Sequence, residues 1–170
     1  MKKILLATAI AAMTLVSCSG DRKTTVVMGD TAQFDTLSYA LGANIAAGMN
    51  YQLSNVPFDY KAIDESFKNA VLGKTSVKHE DARKTLQDFF NYETYGKRMQ
   101  AIDRKRKEAD SIRLANGDTT QVVYGADPEM FETEEERDEI SSAFGTAMGY
   151  NGRQSGLPLQ VVWMLEGLQH

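Results

Sequence analysis

The chain has 170 residues, 42% of them hydrophobic and 25% charged, with a formal charge of −4 and a single cysteine. That is enough apolar material for one ordinary domain or two small helical units. It excludes an intramolecular disulfide. With an acidic balance and no basic patch interleaved with aromatics, it also argues against nucleic acid as a partner.

Lys2 and Lys3 precede an apolar run from Ile4 to Val16, broken only by Thr8 and Thr14. The run is shorter than the roughly 20 residues a membrane-spanning helix needs, and it fits the apolar core of an export signal. It ends in Leu15-Val16-Ser17-Cys18, which resembles a bacterial lipobox, so cleavage would leave Cys18 as a lipid-modified amino terminus. Two or three acyl chains anchor a protein stably where one does not. The expected location is the periplasmic side of the cell envelope, and Ser19 after Cys18 is compatible with the outer membrane. Without Lys2 and Lys3 the formal charge of −4 becomes −6.

Residues 18–35 are polar and without sustained periodicity, and they read as a tether; Val26, Val27 and Met28 are too few to argue a strand. From Asp35 the spacing becomes helical, with Leu37, Leu41, Ile45, Gly48 and Met49 on one face. Ala40, Gly42, Ala43, Ala46 and Ala47 leave room for a neighbouring helix to approach closely. Asn55 and Pro57 mark a break. Asp59 is placed to cap a second helix whose apolar face is Ile63, Phe67, Ala70 and Val71, with Gly73 as its carboxyl-terminal cap. A third helix is expected to open at Ser76 and to run to about Ala115, interrupted by no proline and by one glycine, Gly96. At 1.5 Å per residue it would be a rod of roughly 60 Å, too long to bury against one small core. Its second half, around Arg104 to Glu108, is charged nearly all round and is expected to be solvated.

Asn116-Gly117-Asp118 signals a turn, Val122-Val123-Tyr124 is compatible with a short extended piece, and Asp127-Pro128 marks a helix start. Thr133 and Glu136 have capping-box spacing, and the acids from Glu132 to Glu139 suit the positive end of a helix dipole. An internal repeat follows. Tyr39-Ala40-Leu41-Gly42 corresponds to Ser142-Ala143-Phe144-Gly145, and Ile45 to Met148. After a two-residue shift Pro57-Phe58 corresponds to Pro158-Leu159, Ile63 to Met164, and Glu65-Ser66-Phe67-Lys68 to Glu166-Gly167-Leu168-Gln169. An unpaired second copy would expose Val161, Leu165 and Leu168, so a continuation of the chain or a partner is expected to cover them.

The fold class expected is therefore all-α: a short helical hairpin, a long stalk helix, then a second partial hairpin. The divisions are 1–17 signal, 18–35 tether, 36–116 first helical unit, 117–132 linker and 133–170 second unit.

Leu37-Ser38-Tyr39-Ala40-Leu41-Gly42, followed by Ile45, the Asp59 to Gly73-Lys74 helix and the segment opening with Ser76 and Glu80, resembles a known domain. It is similar to the amino-terminal domain of FKBP-type peptidyl-prolyl isomerases of the macrophage infectivity potentiator class, well over residues 36–95 and more weakly over 139–170. The resemblance implies a homodimer of interlocked short helices, with Leu37, Tyr39, Leu41, Ile45, Met49, Ile63 and Phe67 as shared core and Gly42 and Gly48 permitting close approach. It also implies unfolded or proline-containing client chains. The aromatic and acidic constellation of an isomerase pocket is not found here, so no catalytic, cofactor or metal residue carries over. The three readings are a client-binding dimerisation module, the front of a longer isomerase, and a structural envelope lipoprotein without clients. His79, Trp163 and the Glu132 to Glu139 cluster read as a solvated side chain, a core or interface residue and a helix start.

Overall fold

The computed structural model describes residues 32–156 and 159–169. The signal, Cys18, Val26 to Met28 and Pro158 lie outside the described residues. Among the described residues six α-helices follow one another: α1 (Ala32–Gln52), α2 (Tyr60–Val71), α3 (His79–Phe89), α4 (Lys97–Ala115), α5 (Glu134–Gln154) and α6 (Val161–Leu168). No strand occurs among the described residues. Helix α1 begins inside the segment expected to be tether.

The ends of α2 are set by local chemistry. The Asp59 carboxylate accepts the amides of Lys61 at 2.8 Å and Ala62 at 3.1 Å. At the other end Gly73 takes φ +67°, so its own amide and that of Lys74 reach back to the carbonyls of Ala70 and Asn69. The same arrangement closes α4, where Gly117 at φ +80° lets its amide and that of Asp118 reach Leu114 and Arg113.

The long third helix is present but bent. It starts at His79 rather than Ser76, and α3 and α4 are separated by a π-helical turn, Tyr92–Gly96. Asn91 causes the break: its side-chain oxygen takes the Thr94 amide at 2.8 Å, competing with the helical pattern, and its carbonyl takes the Gly96 amide five residues on. The bend aims the two halves differently. Helix α3 lies on α5, with Ala82 against Ala143 and Ala147, while α4 leaves the core as an arm about 28 Å long.

The arm is solvated as its charge implies, with Arg104, Lys105, Lys107 and Glu108 exposed, and Arg106 is half-buried where the chain returns along it. Arg106 pairs with Asp127 at 3.3 Å and lies 4.9 Å from the Tyr124 ring centre, and Lys105 pairs with Glu129. Tyr124 donates its hydroxyl to Asp110 at 2.8 Å, and that bond pushes the phenol pKa up. Arg113 holds both Asp110 and Asp118. At the base of the arm Phe89 stacks on Phe131 with ring centres 5.1 Å apart, and Met49, Phe58, Ile63, Ile102, Met130 and Ile140 complete an apolar cluster. Arg98 passes over Phe89 and binds Glu132 and Glu136; the Glu136 amide donates to the Thr133 hydroxyl as the capping-box spacing predicts, while its carboxylate accepts the amide of Glu132 at 2.7 Å.

Asp59→Ala leaves two amides of α2 without their carboxylate and is expected to lower stability by about 1 kcal/mol, measured by urea unfolding followed by circular dichroism.

Candidate functional site

The surface proposed from sequence for helix pairing is used, and it is used inside the chain. Helix α1 packs on α6 and α2 packs on α5, rather than α1 on α2 or α5 on α6. Two places bring backbones close together. A Cβ at Gly42 would overlap the carbonyl oxygen of Met164, and a Cβ at Gly145 would overlap that of Ile63. Gly167 meets the carbonyl of Tyr39 in the same way, and at Gly149 a Cβ would stand 2.6 Å from the Phe67 oxygen. Only residues without a side chain permit such crossings.

Each crossing is flanked by a buried serine. Ser38, wholly buried in α1, accepts the amide of Gln160 at 2.8 Å, and Gln160 is the residue that starts α6. Ser141, wholly buried in α5, accepts the amide of Asp59 at 2.9 Å, and Asp59 starts α2. An amide at a helix start with no partner inside a core is costly, and each hydroxyl removes that cost across the interface. Ser38 also donates to the Phe34 carbonyl at 2.7 Å.

The residues singled out from sequence divide as follows. Gly42 lies at the α1–α6 crossing. Phe67 is buried among Val71, Leu159, Val161 and Met164, with Leu41 and Ile45 partly buried against them. Met49 and Ile63 belong to the cluster at the base of the arm. Tyr39 is half-buried and offers its carbonyl to Gly167. Two of the residues lie away from both crossings within the chain. Gly48 faces open space, with nothing within 4 Å of where a Cβ would stand, because it falls off the stripe that meets α6. Leu37 is 44% exposed, since its neighbour Ser38 takes the inward position.

The second hairpin is not left uncovered. Val161 and Leu168 are buried and Leu165 is partly buried, packed against α1 and α2. From sequence Ser38 stands only as part of the family motif and Gly167 only as part of the repeat, with no contact assigned to either, and Ser141, just before the aligned Ser142, is not singled out.

A family model for the domain amino terminal to FKBP-type peptidyl-prolyl isomerases matches residues 34–126, more than half of the chain. The chain belongs to this family. The match takes in α1 to α4 and the return segment, and does not reach α5 and α6. No curated protein and no solved structure matches the chain. The FKBP amino-terminal domain is a dimerisation module, which accords with a surface whose chemistry is close helix pairing. Among the described residues no group of histidines, cysteines and carboxylates is placed to hold a metal ion, and no helix is long and apolar enough to cross a membrane. His79 stacks on Tyr150 at 5.1 Å; burial and nearby Arg83 press its pKa down against the opposing pull of Glu80. Trp163 is 39% exposed on α6.

Gly42→Ala and Gly145→Ala should each cost about 2 kcal/mol by forcing helices apart, whereas Gly48→Ala should be neutral or gain up to about 1 kcal/mol from helix propensity. Chemical denaturation of the three variants side by side reads the difference.

Proposed function

We propose that this FKBP amino-terminal domain works as a lipid-anchored helical module of protein folding on the periplasmic side of the envelope, holding unfolded or proline-containing chains. The observation that carries the reading is the family match over residues 34–126, which associates the chain with isomerases that act on proline peptide bonds. The anchor rests on Leu15-Val16-Ser17-Cys18 after a basic start and an apolar run. Contact with clients is supported by apolar side chains that the fold leaves outside. Tyr51 of α1, Tyr92 at the bend, Ile112 and Leu114 on the arm and Val123 on the return segment are all more than half exposed. Isolated exposed apolar residues are ordinary on any protein, and the reading draws on their occurrence along the arm.

A second reading, in which these residues are the front of an active isomerase, is favoured by the definition of the family, a domain that precedes such an enzyme. The gene sequence past His170 decides it.

The lipidated protein is expected to partition into detergent and the Cys18→Ser protein to stay in the aqueous phase. The Cys18→Ser protein, purified without its leader, is expected to suppress aggregation of a chemically unfolded test protein at near-equimolar ratio. An aqueous wild-type protein overturns the anchor; aggregation unchanged by the protein favours a structural lipoprotein without clients.

A further inference from the structure

We infer that α5 and α6 are a second copy of the α1–α2 hairpin, and that they occupy within one chain the place a second protomer would take on the dimerisation surface. Three independent observations carry this.

The first is the exchange of partners. In an ordinary helical hairpin the two helices, joined by a short loop, pack on each other. Here α1 takes α6 and α2 takes α5, so each hairpin embraces the other and neither is complete alone.

The second is reciprocity of the kind a two-fold axis produces, where residue i meets j and the mate of j meets the mate of i. Ser38 and Ser141 are 103 positions apart, as are Gly42 and Gly145. Asp59 and Gln160 are 101 apart, as are Ile63 and Met164. Ser38 accepts the Gln160 amide while Ser141 accepts the Asp59 amide. Gly42 faces the Met164 carbonyl while Gly145 faces the Ile63 carbonyl. Four contacts thus reduce to two, each made twice with the roles of the halves interchanged. Two unrelated hairpins packed by chance have no reason to repeat both the donor and the close approach.

The third is that these offsets are the ones by which the sequence aligns with itself, 103 across the first helix of each copy and 101 across the second. Register in sequence and register in space agree.

Helix α3 covers α5 at Ala143 and Ala147, but their counterparts on α1, Ala40 and Asn44, are exposed.

The consequence is that the mature chain is a monomer, its dimerisation surface already filled. The test uses the Cys18→Ser chain without its leader. Light scattering is expected to give the mass of one chain over a wide concentration range; a stable two-chain mass overturns the inference. A protease site placed between Thr119 and Val123, in the exposed return segment, is then cut. The fragments carrying α1–α4 and α5–α6 are expected to stay together as a one-to-one complex with the mass of the uncut chain. Fragments that separate under native conditions overturn the inference equally. Ser38→Ala and Ser141→Ala, milder than changes at the glycines, are expected to lower Tm by similar amounts with mass unchanged. A loss confined to one of them breaks the reciprocity on which the inference stands.

Discussion

Everything in this molecule depends on two helix crossings so close that a carbonyl oxygen of one helix stands where a side chain of the other would begin. At Gly42 the occupant is the Met164 oxygen, and at Gly145 the Ile63 oxygen. Such contact gives dense packing, yet it draws polar backbone away from much of its contact with water. The starts of α2 and α6 would be stranded there, and Ser141 and Ser38 supply the acceptors that prevent it. Glycine and serine therefore act as one device, the first permitting approach and the second making burial tolerable.

The arm depends on that device indirectly. Because α2 is fixed against α5, α3 can lie along the alanines of α5, and the bend at Asn91 then directs α4 away from the core. The return segment is laid along α4 by Arg106, Arg113 and Tyr124. Exposed ion pairs contribute little individually. Arg98 and Arg106, with side chains 16% and 17% exposed, are the more sheltered members, and each combines an ion pair with an aromatic face. The Phe89 and Phe131 stack joins this base to the start of α5, so arm and second hairpin share one apolar cluster.

Membership in a family defined by position ahead of an isomerase makes pairing of helices, rather than chemistry of side chains, the property to explain. A pairing surface needs shape, small residues and satisfied backbone. Those are present, and they explain why the sequence signature of this domain is a run of packing residues.

The sequence by itself determined the helical class, the first hairpin with its Asp59 and Gly73 ends, the turn at Gly117, the cap at Thr133 and the small-residue character of α1. All of these follow from local chemistry: periodicity, capping oxygens and positions where only glycine is at ease. Even the internal repeat was legible as an alignment. Tertiary structure alone decided which face of α1 turns inward, setting Ser38 inside while leaving Leu37 and Gly48 outside. It decided that the long helix bends, because Asn91 prefers to cap Thr94 when Phe89 and Tyr95 are drawn to the same cluster. It also decided that α6 lies on α1 of its own chain. Periodicity marks a surface that must be covered, but it carries no information on which molecule covers it, because the contact energy is the same whether the partner arrives in cis or in trans.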